Sequence, residues 1–358
     1  MDIQNRVARL REKMKEIDLD AFLVTTKENR QYLTGFTGSF GWVLVTKREV
    51  YLMTDSRYVE QASKETSGCK IVQLQHFTPP VTLRMIMTDV DAVTLGVESD
   101  RLTYEEFERV ANQVRRKAVT PIAGFVDRLR RVKDEEEIKL LARAEEIGDE
   151  AFKHVLGVIK PGMTEREIAI ELEFQMRKAG ASGLSFDTIV ASGKRSSMPH
   201  GLASDKKVEA GDFITMDFGC VYQGYCSDMT RTIALGSVDE KQETVYNLVR
   251  KAQEDAIAAV HAGVTGKEIH AVAQNVFQEA GYGAYFGHGL GHSVGLEIHE
   301  APTFAPRTED IIPENTVITV EPGLYLPNWG GVRIEDLIVV KEDGCINLTH
   351  SPKELIIL

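Results

Sequence analysis

The stretch Phe213-Ile-Thr-Met-Asp-Phe-Gly219 returns 104 residues later as Val317-Ile-Thr-Val-Glu-Pro-Gly323. Both are apolar, β-branched runs that end in a carboxylate and then a glycine. A second pair precedes them in the same order. Gly162-Met-Thr-Glu-Arg-Glu-Ile168 and Gly263-Val-Thr-Gly-Lys-Glu-Ile269 lie 101 residues apart, and each continues to an Ala-Gly, at Ala179-Gly180 and Ala280-Gly281. In both copies Thr is placed to cap an amphipathic helix and Gly to end it. Two echoes in one order, at nearly one offset, indicate an internal duplication. Residues 134–358 are therefore expected to form two related α+β halves.

The acidic residues inside the echoes carry the chemistry. A hairpin turning at Tyr222-Gln223 sets Asp217 directly opposite Asp228, with Cβ atoms ~4.5–5.5 Å apart. A second hairpin centred on Asn328, in Pro327-Asn-Trp-Gly-Gly331, sets Glu321 opposite Glu335. Each acid is flanked by apolar strand residues, such as Met216 and Phe218 or Ile334 and Leu337. Four buried carboxylates meeting at a pseudo-twofold axis cannot all ionise without cations. Two divalent metals resolve that conflict.

Four of the nine histidines fall in two suggestive places. His200 lies in Met198-Pro-His200-Gly201. His288, His292 and His299 lie in a glycine-dense run from Gly287 to Glu300, where backbone can approach a ligand closely. His76, His154, His261, His270 and His350 read as ordinary hydrogen-bonded residues. One imidazole among four carboxylates makes an oxygen-rich donor set, which favours Mn²⁺ over a thiolate-type zinc site. The glycine run is not a dinucleotide fingerprint, because no strand precedes it, and Ser192-Gly-Lys-Arg-Ser196 is not a phosphate loop.

Residues 1–125 read as a separate α/β domain with a mixed or parallel sheet. Its signals are an amphipathic helix over Met1 to Glu16 and strands at Ala21–Thr25, Trp42–Val45, Val50–Met53 and Val93–Val97. Helices are expected over Val59–Lys64 and Thr103–Lys117. A basic segment, 126–133, reads as the linker. Asp134 then starts a long helix, with Glu137 at the capping-box position.

Composition bounds the remaining possibilities. Hydrophobic residues make up 43% and charged residues 27%, the balance of a globular protein. Asp plus Glu is 54 against 42 for Lys plus Arg, a net charge of −12. That excess argues against nucleic acid or an anionic membrane as partner. No apolar run approaches the ~18–20 residues of a membrane span, and no signal-peptide pattern opens the chain. Four cysteines without a CxxC pair fit free thiols and a cytoplasmic location.

Together these residues resemble the "pita-bread" metallopeptidases: methionine aminopeptidase, aminopeptidase P, prolidase and the metal-free relative creatinase. Asn29-Arg-Gln-Tyr-Leu-Thr-Gly-Phe36 and Leu52-Met-Thr-Asp-Ser-Arg-Tyr58 resemble the N-terminal domain that methionine aminopeptidases lack. The resemblance implies five ligands for two metals: Asp217, Asp228, His292, Glu321 and Glu335. It implies Asp217 and Glu335 as groups reaching both metals, and Mn²⁺ as the metal, with Co²⁺ or Zn²⁺ as alternatives. It assigns substrate binding and transition-state stabilisation to His200, His288 and His299. Glu321 becomes a proton shuttle and Arg333 a residue that holds a carboxylate such as Asp228.

The implied reaction is metal-dependent hydrolysis of the Xaa-Pro bond at peptide N-termini, by a homodimer acting on short proline-containing peptides. Prolidase (Xaa-Pro dipeptidase) and aminopeptidase P differ in whether the substrate continues past proline. A strict dipeptidase needs a cation for the free carboxylate, and Arg307 is the candidate. Two other classes compete: a creatinase-like hydrolase and a non-enzymatic binding protein. Both usually lack metal ligands, and none of the five is missing here.

Overall fold

The computed structural model describes residues 2–74, 78–114 and 118–358, in two units that divide between Arg130 and Arg131. The 126–133 segment expected as a linker contains a short helix, Asp127–Arg130.

In the N-terminal unit the fully buried run Ala21–Val24 forms an inner strand of a six-stranded sheet. It pairs antiparallel with Trp42–Thr46 on one side and parallel with Leu95–Glu98 on the other, so the sheet is mixed. Val50–Asp55 and Lys70–Leu74 extend one flank, and Val119–Ile122 ends the other. Leu23, Leu44, Met53, Leu83, Val97 and Val110 are buried together in its core. The first helix runs Ile3–Glu16, with Asp2 accepting a capping bond from the Asn5 amide. Helix Tyr104–Val114 falls within the expected Thr103–Lys117. The expected end of that helix, at 115–117, lies outside the described residues, as do Met1 and His76. Both outermost strands escape a sequence reading because they are short and half exposed, without a clear apolar alternation.

The C-terminal unit opens with Glu135–Leu156. The Asp134 carboxylate accepts from the Glu137 amide, and the Glu137 carboxylate accepts from the Asp134 amide. The same reciprocal cap starts Glu165–Lys178, between Thr164 and Glu167, and Gly266–Glu279, between Thr265 and Glu268. Gly180 and Gly281 follow those last two helices at φ 110° and 80°. A side chain there would be strained, which explains the repeated Ala-Gly.

The duplication extends to the sheets. In the first half Ile189–Ser192, Phe213–Phe218 and Met229–Ala234 lie side by side, neighbours antiparallel. In the second half Gly291–Ser293, Val317–Val320 and Asp336–Lys341 follow the same order and sense. Each half packs its own helices on its own strands. One cluster joins Ile147, Phe152, Leu172 and Met216, and the other joins Val249, Phe277, Ile318 and Ile338. Each such side chain contributes ~1.5–3 kcal/mol when fully buried.

The two hairpins differ in how closely they follow expectation. In the second, Leu326 pairs with Gly330 and Gly323 with Arg333, the register anticipated, and Val320 pairs with Asp336 beyond a gap in which Glu321 and Glu335 lie. In the first, Tyr222 pairs with Tyr225, and the tip is Gln223-Gly224 rather than Tyr222-Gln223. A two-residue hairpin turn of type I′ takes positive φ at both central positions. Gln223 and Gly224 supply 48° and 90°. The register therefore shifts, and Asp217 faces Thr230, with Asp228 on the diagonal. The ladder also breaks near Asp228. A Cβ on Gly219 would lie 1.9 Å from the Ser227 carbonyl oxygen, so only glycine permits this approach.

Candidate metal centre

Asp217 sits on Phe213–Phe218, and Asp228 lies just before Met229–Ala234. Glu335 lies in the short gap between Gly330–Arg333 and Asp336–Lys341. Carboxylate oxygens of these three residues all lie within 4.8 Å of one another. Both halves of the duplication thus feed one acidic cluster. His292, on Gly291–Ser293, brings Nε2 to 3.4 Å from Asp228 Oδ2 and 3.6 Å from Glu321 Oε1. All five residues line one cavity of about 600 Å³. Asp228 is the group common to both subsets, near Asp217 and Glu335 on one side and near His292 on the other.

Electrostatics explains why such a cluster requires cations. Burial pushes the Asp228 carboxyl well above the usual range, and Asp217 and Glu321 push it further. Burial does the same to Glu335, with Asp228 adding to the effect. Glu321 is raised to about 7, chiefly by burial, against the lowering influence of His292 and Arg333. Without a positive charge the site must retain protons on these acids. One oxygen strengthens the case for metal. Asp217 Oδ1 is buried and has no hydrogen-bond partner among the described residues. Carboxylate oxygens so placed fit a hard divalent cation.

The expected second layer is present, with one change. Arg333 Nη2 donates to Asp217 Oδ2 at 2.6 Å, and not to Asp228. Asp217 is the nearer acid because it stands across from Thr230, and the Arg333 Nε donates to the Thr230 hydroxyl at 3.0 Å. Arg333 Nη1 donates to the Tyr325 hydroxyl at 2.7 Å and to the Pro199 carbonyl at 3.3 Å. The latter bond ties down the loop that carries His200. Gly331 tightens it further, donating its amide to Ser196 Oγ at 2.8 Å.

His200, His288 and His299 line the same cavity as the acids. The rings of His292 and His299 meet edge to face with centroids 4.4 Å apart. Burial lowers His299, helped by the neighbouring His292. His288 is lowered to about 4 by burial and then by Arg333, so it is neutral near pH 7. Its Nδ1 lies 2.7 Å from the Gly289 carbonyl, which fixes the proton there and leaves Nε2 as an acceptor. Of the remaining described histidines, His154 meets Glu171 and Gln175, and His261 meets the Ala262 carbonyl. His270 stacks on Phe286, and His350 approaches Asp149. None of the four lines the cavity.

Arg307 does not join the site. It is exposed and absent from the cavity wall. Two contributors escaped the sequence reading. Thr230 donates its hydroxyl to Glu335 Oε2 at 2.7 Å, and Tyr325 holds Arg333. Strand alternation offered a signal for the first, since Thr230 is two residues from Asp228 and shares its face.

Known proteins resemble this chain over nearly its whole length. Residues 139–342 match the model of metallopeptidase family M24, and residues 6–132 match that of the creatinase/prolidase N-terminal domain. The chain is 38% identical to the Xaa-Pro dipeptidase of Pyrococcus horikoshii, over 99% of this chain and 100% of that protein. A solved structure of an Xaa-Pro dipeptidase from Bacillus anthracis superimposes with a TM-score of 0.97 at 45% identity, covering 100% of both chains. An X-Pro aminopeptidase from Thermotoga maritima gives 0.92 at 41% identity, over 97% of this chain and 100% of that one.

Proposed function

The chain belongs to metallopeptidase family M24, and from that premise we propose that it hydrolyses the Xaa-Pro bond of dipeptides. The observation that carries this reading is the convergence of Asp217, Asp228 and Glu335 within 4.8 Å, with His292 and Glu321 alongside in one cavity. Relatives named Xaa-Pro dipeptidase align over their whole length, which supports the substrate class.

Asp217, Asp228, His292, Glu321 and Glu335 would hold two divalent ions. The oxygen-rich donor set favours Mn²⁺. Bound metals supply Lewis acidity and an activated water for attack on the peptide carbonyl. The chain's own residues perform the remaining tasks. Glu321, beside His292 in the same cavity, would carry a proton towards the leaving proline nitrogen. His299 and His200 donate to the carbonyl oxygen as negative charge develops there. His288 offers Nε2 as an acceptor for a substrate N–H or hydroxyl. Arg333 keeps Asp217 oriented. Proline's tertiary amide has no N–H to donate, so recognition of that residue rests on the shape of its ring and on its free carboxylate.

A second reading, cleavage of longer Xaa-Pro peptides, is favoured by one observation. Arg307 is outside the cavity, and the guanidinium that does line it, Arg333, is already bonded to Asp217, Tyr325 and Pro199. A homodimer in the cytoplasm completes the proposal, the location supported by four free cysteines. The deciding assay compares an Xaa-Pro dipeptide with an Xaa-Pro-Yaa tripeptide, after chelation and again with Mn²⁺ restored. Metal-dependent cleavage of the dipeptide upholds the first reading. Cleavage of the tripeptide alone selects the second, and no cleavage of either removes both.

A further inference from the structure

Arg231 is among the largest fully buried side chains in the protein. It faces away from the chemistry described above and does not line the cavity. All five of its N–H donors have acceptors. Nε donates to the Pro352 carbonyl at 3.0 Å. Nη1 donates to the Thr230 carbonyl at 3.0 Å and to the Glu335 carbonyl at 2.5 Å. Nη2 donates to Asp336 Oδ1 and to the Ser351 carbonyl, both at 2.7 Å. One planar fork therefore joins three segments: the strand of Thr230, the backbone of Glu335, and the C-terminal residues Ser351 and Pro352.

We propose that Arg231 is a positioning residue for the metal centre, setting Glu335 against Thr230 and making the C-terminal segment part of the centre's framework. The proposal rests on the metal-centre reading above. Glu335 is held at both ends: its side chain by the Thr230 hydroxyl, its carbonyl by Arg231. The Glu335 amide also donates to the Thr230 carbonyl at 3.1 Å, so the fork closes around an existing pairing. The far end is anchored independently. Asp149 accepts from the His350 and Ser351 amides at 2.8 and 2.7 Å, and Thr349 Oγ1 donates to Glu145 at 2.6 Å. Glu145 in turn accepts from the Asp228 amide at 3.3 Å. The same segment thus backs two of the proposed ligands. Lysine cannot replace this fork, since its three donors radiate from a single point.

The test measures Mn²⁺ dissociation constants of Arg231→Lys and Lys353→Met by electron paramagnetic resonance titration. Lys353 belongs to the same segment and bonds the same Asp336, and Gln253, but no ligand residue. Outer groups that orient metal ligands are worth ~10–100-fold in affinity. Arg231→Lys is expected to weaken Mn²⁺ binding at least ~10-fold while still melting cooperatively, with Lys353→Met within ~2-fold of wild type. Unchanged affinity in Arg231→Lys, or an equal loss in both variants, overturns the proposal. Should Arg231→Lys fail to fold, hydrogen exchange of the wild type decides. Mn²⁺ must slow exchange at the His350 and Ser351 amides, and protection confined to the ligand strands overturns the inference. A wild type that binds none of Mn²⁺, Co²⁺ and Zn²⁺ removes the metal-centre reading itself.

Discussion

Thr230 stands directly across the hairpin from Asp217 and donates its hydroxyl to Glu335 at 2.7 Å. The same oxygen accepts from Arg333 Nε at 3.0 Å. A single hydroxyl thus links two proposed ligands from opposite halves of the duplication to the arginine that orients one of them. Thr230→Val keeps the shape and removes both bonds. A buried donor left unpaired costs ~1–3 kcal/mol. Differential scanning calorimetry should show that loss, and Mn²⁺ affinity should fall ~10–100-fold.

Asp228 is the shared acid of the cluster. Asp228→Asn keeps the volume and removes the negative charge, and it should lower bound metal, read by elemental analysis, from two ions to one or none. Hydrolysis of an Xaa-Pro dipeptide should drop at least ~100-fold in kcat, because metal activation supplies several kcal/mol of the catalysis. Full occupancy with an unchanged rate would refute the geometry.

Glu145 should set a pH dependence of stability. Its carboxyl is raised from 4.5 to about 8, with burial as the main cause. The folded state then holds a proton that the unfolded chain releases above about pH 4.5. The contribution is complete below that value and is lost as pH rises through about 8. Wild-type Tm should therefore decline between pH 5 and 8, and Glu145→Gln should flatten that slope.

Gly219→Ala places a methyl 1.9 Å from the Ser227 carbonyl oxygen, a backbone atom that cannot swing aside. Overpacking of this kind costs ~1–3 kcal/mol. Because the clash lies beside Asp228, chemical denaturation and Mn²⁺ titration should both report the change. A mutation that lowered stability alone would show that the break in the ladder does not set the Asp228 position.

Much of this molecule is legible in the chain. The two echoes locate both halves, and the capping residues Asp134, Thr164 and Thr265 fix three helix starts because a side-chain oxygen and a glutamate three residues on are local signals. The second hairpin keeps its register because Pro327 to Gly331 leaves little choice of turn. The first slips because Gln223 adopts a left-handed conformation that its identity does not announce. Arg333 was legible as a ligand-holding residue, but its choice of Asp217 follows from that slip. Arg307 looked like a cation in the right neighbourhood, and only the path of its loop shows it exposed. Arg231 gave no signal, since four of its five acceptors lie more than 100 residues away in sequence and three of those are backbone carbonyls.

The duplication has a thermodynamic consequence. Asp217 and Asp228 come from one half, and His292, Glu321 and Glu335 from the other, so neither half alone presents the full donor set. Ion binding is therefore linked to the association of the halves, and the metal acts as a clasp between them. At free metal 1,000 times Kd, such linkage stabilises the folded unit by about 4.1 kcal/mol. Chelation should then lower the temperature at which the entire C-terminal unit melts.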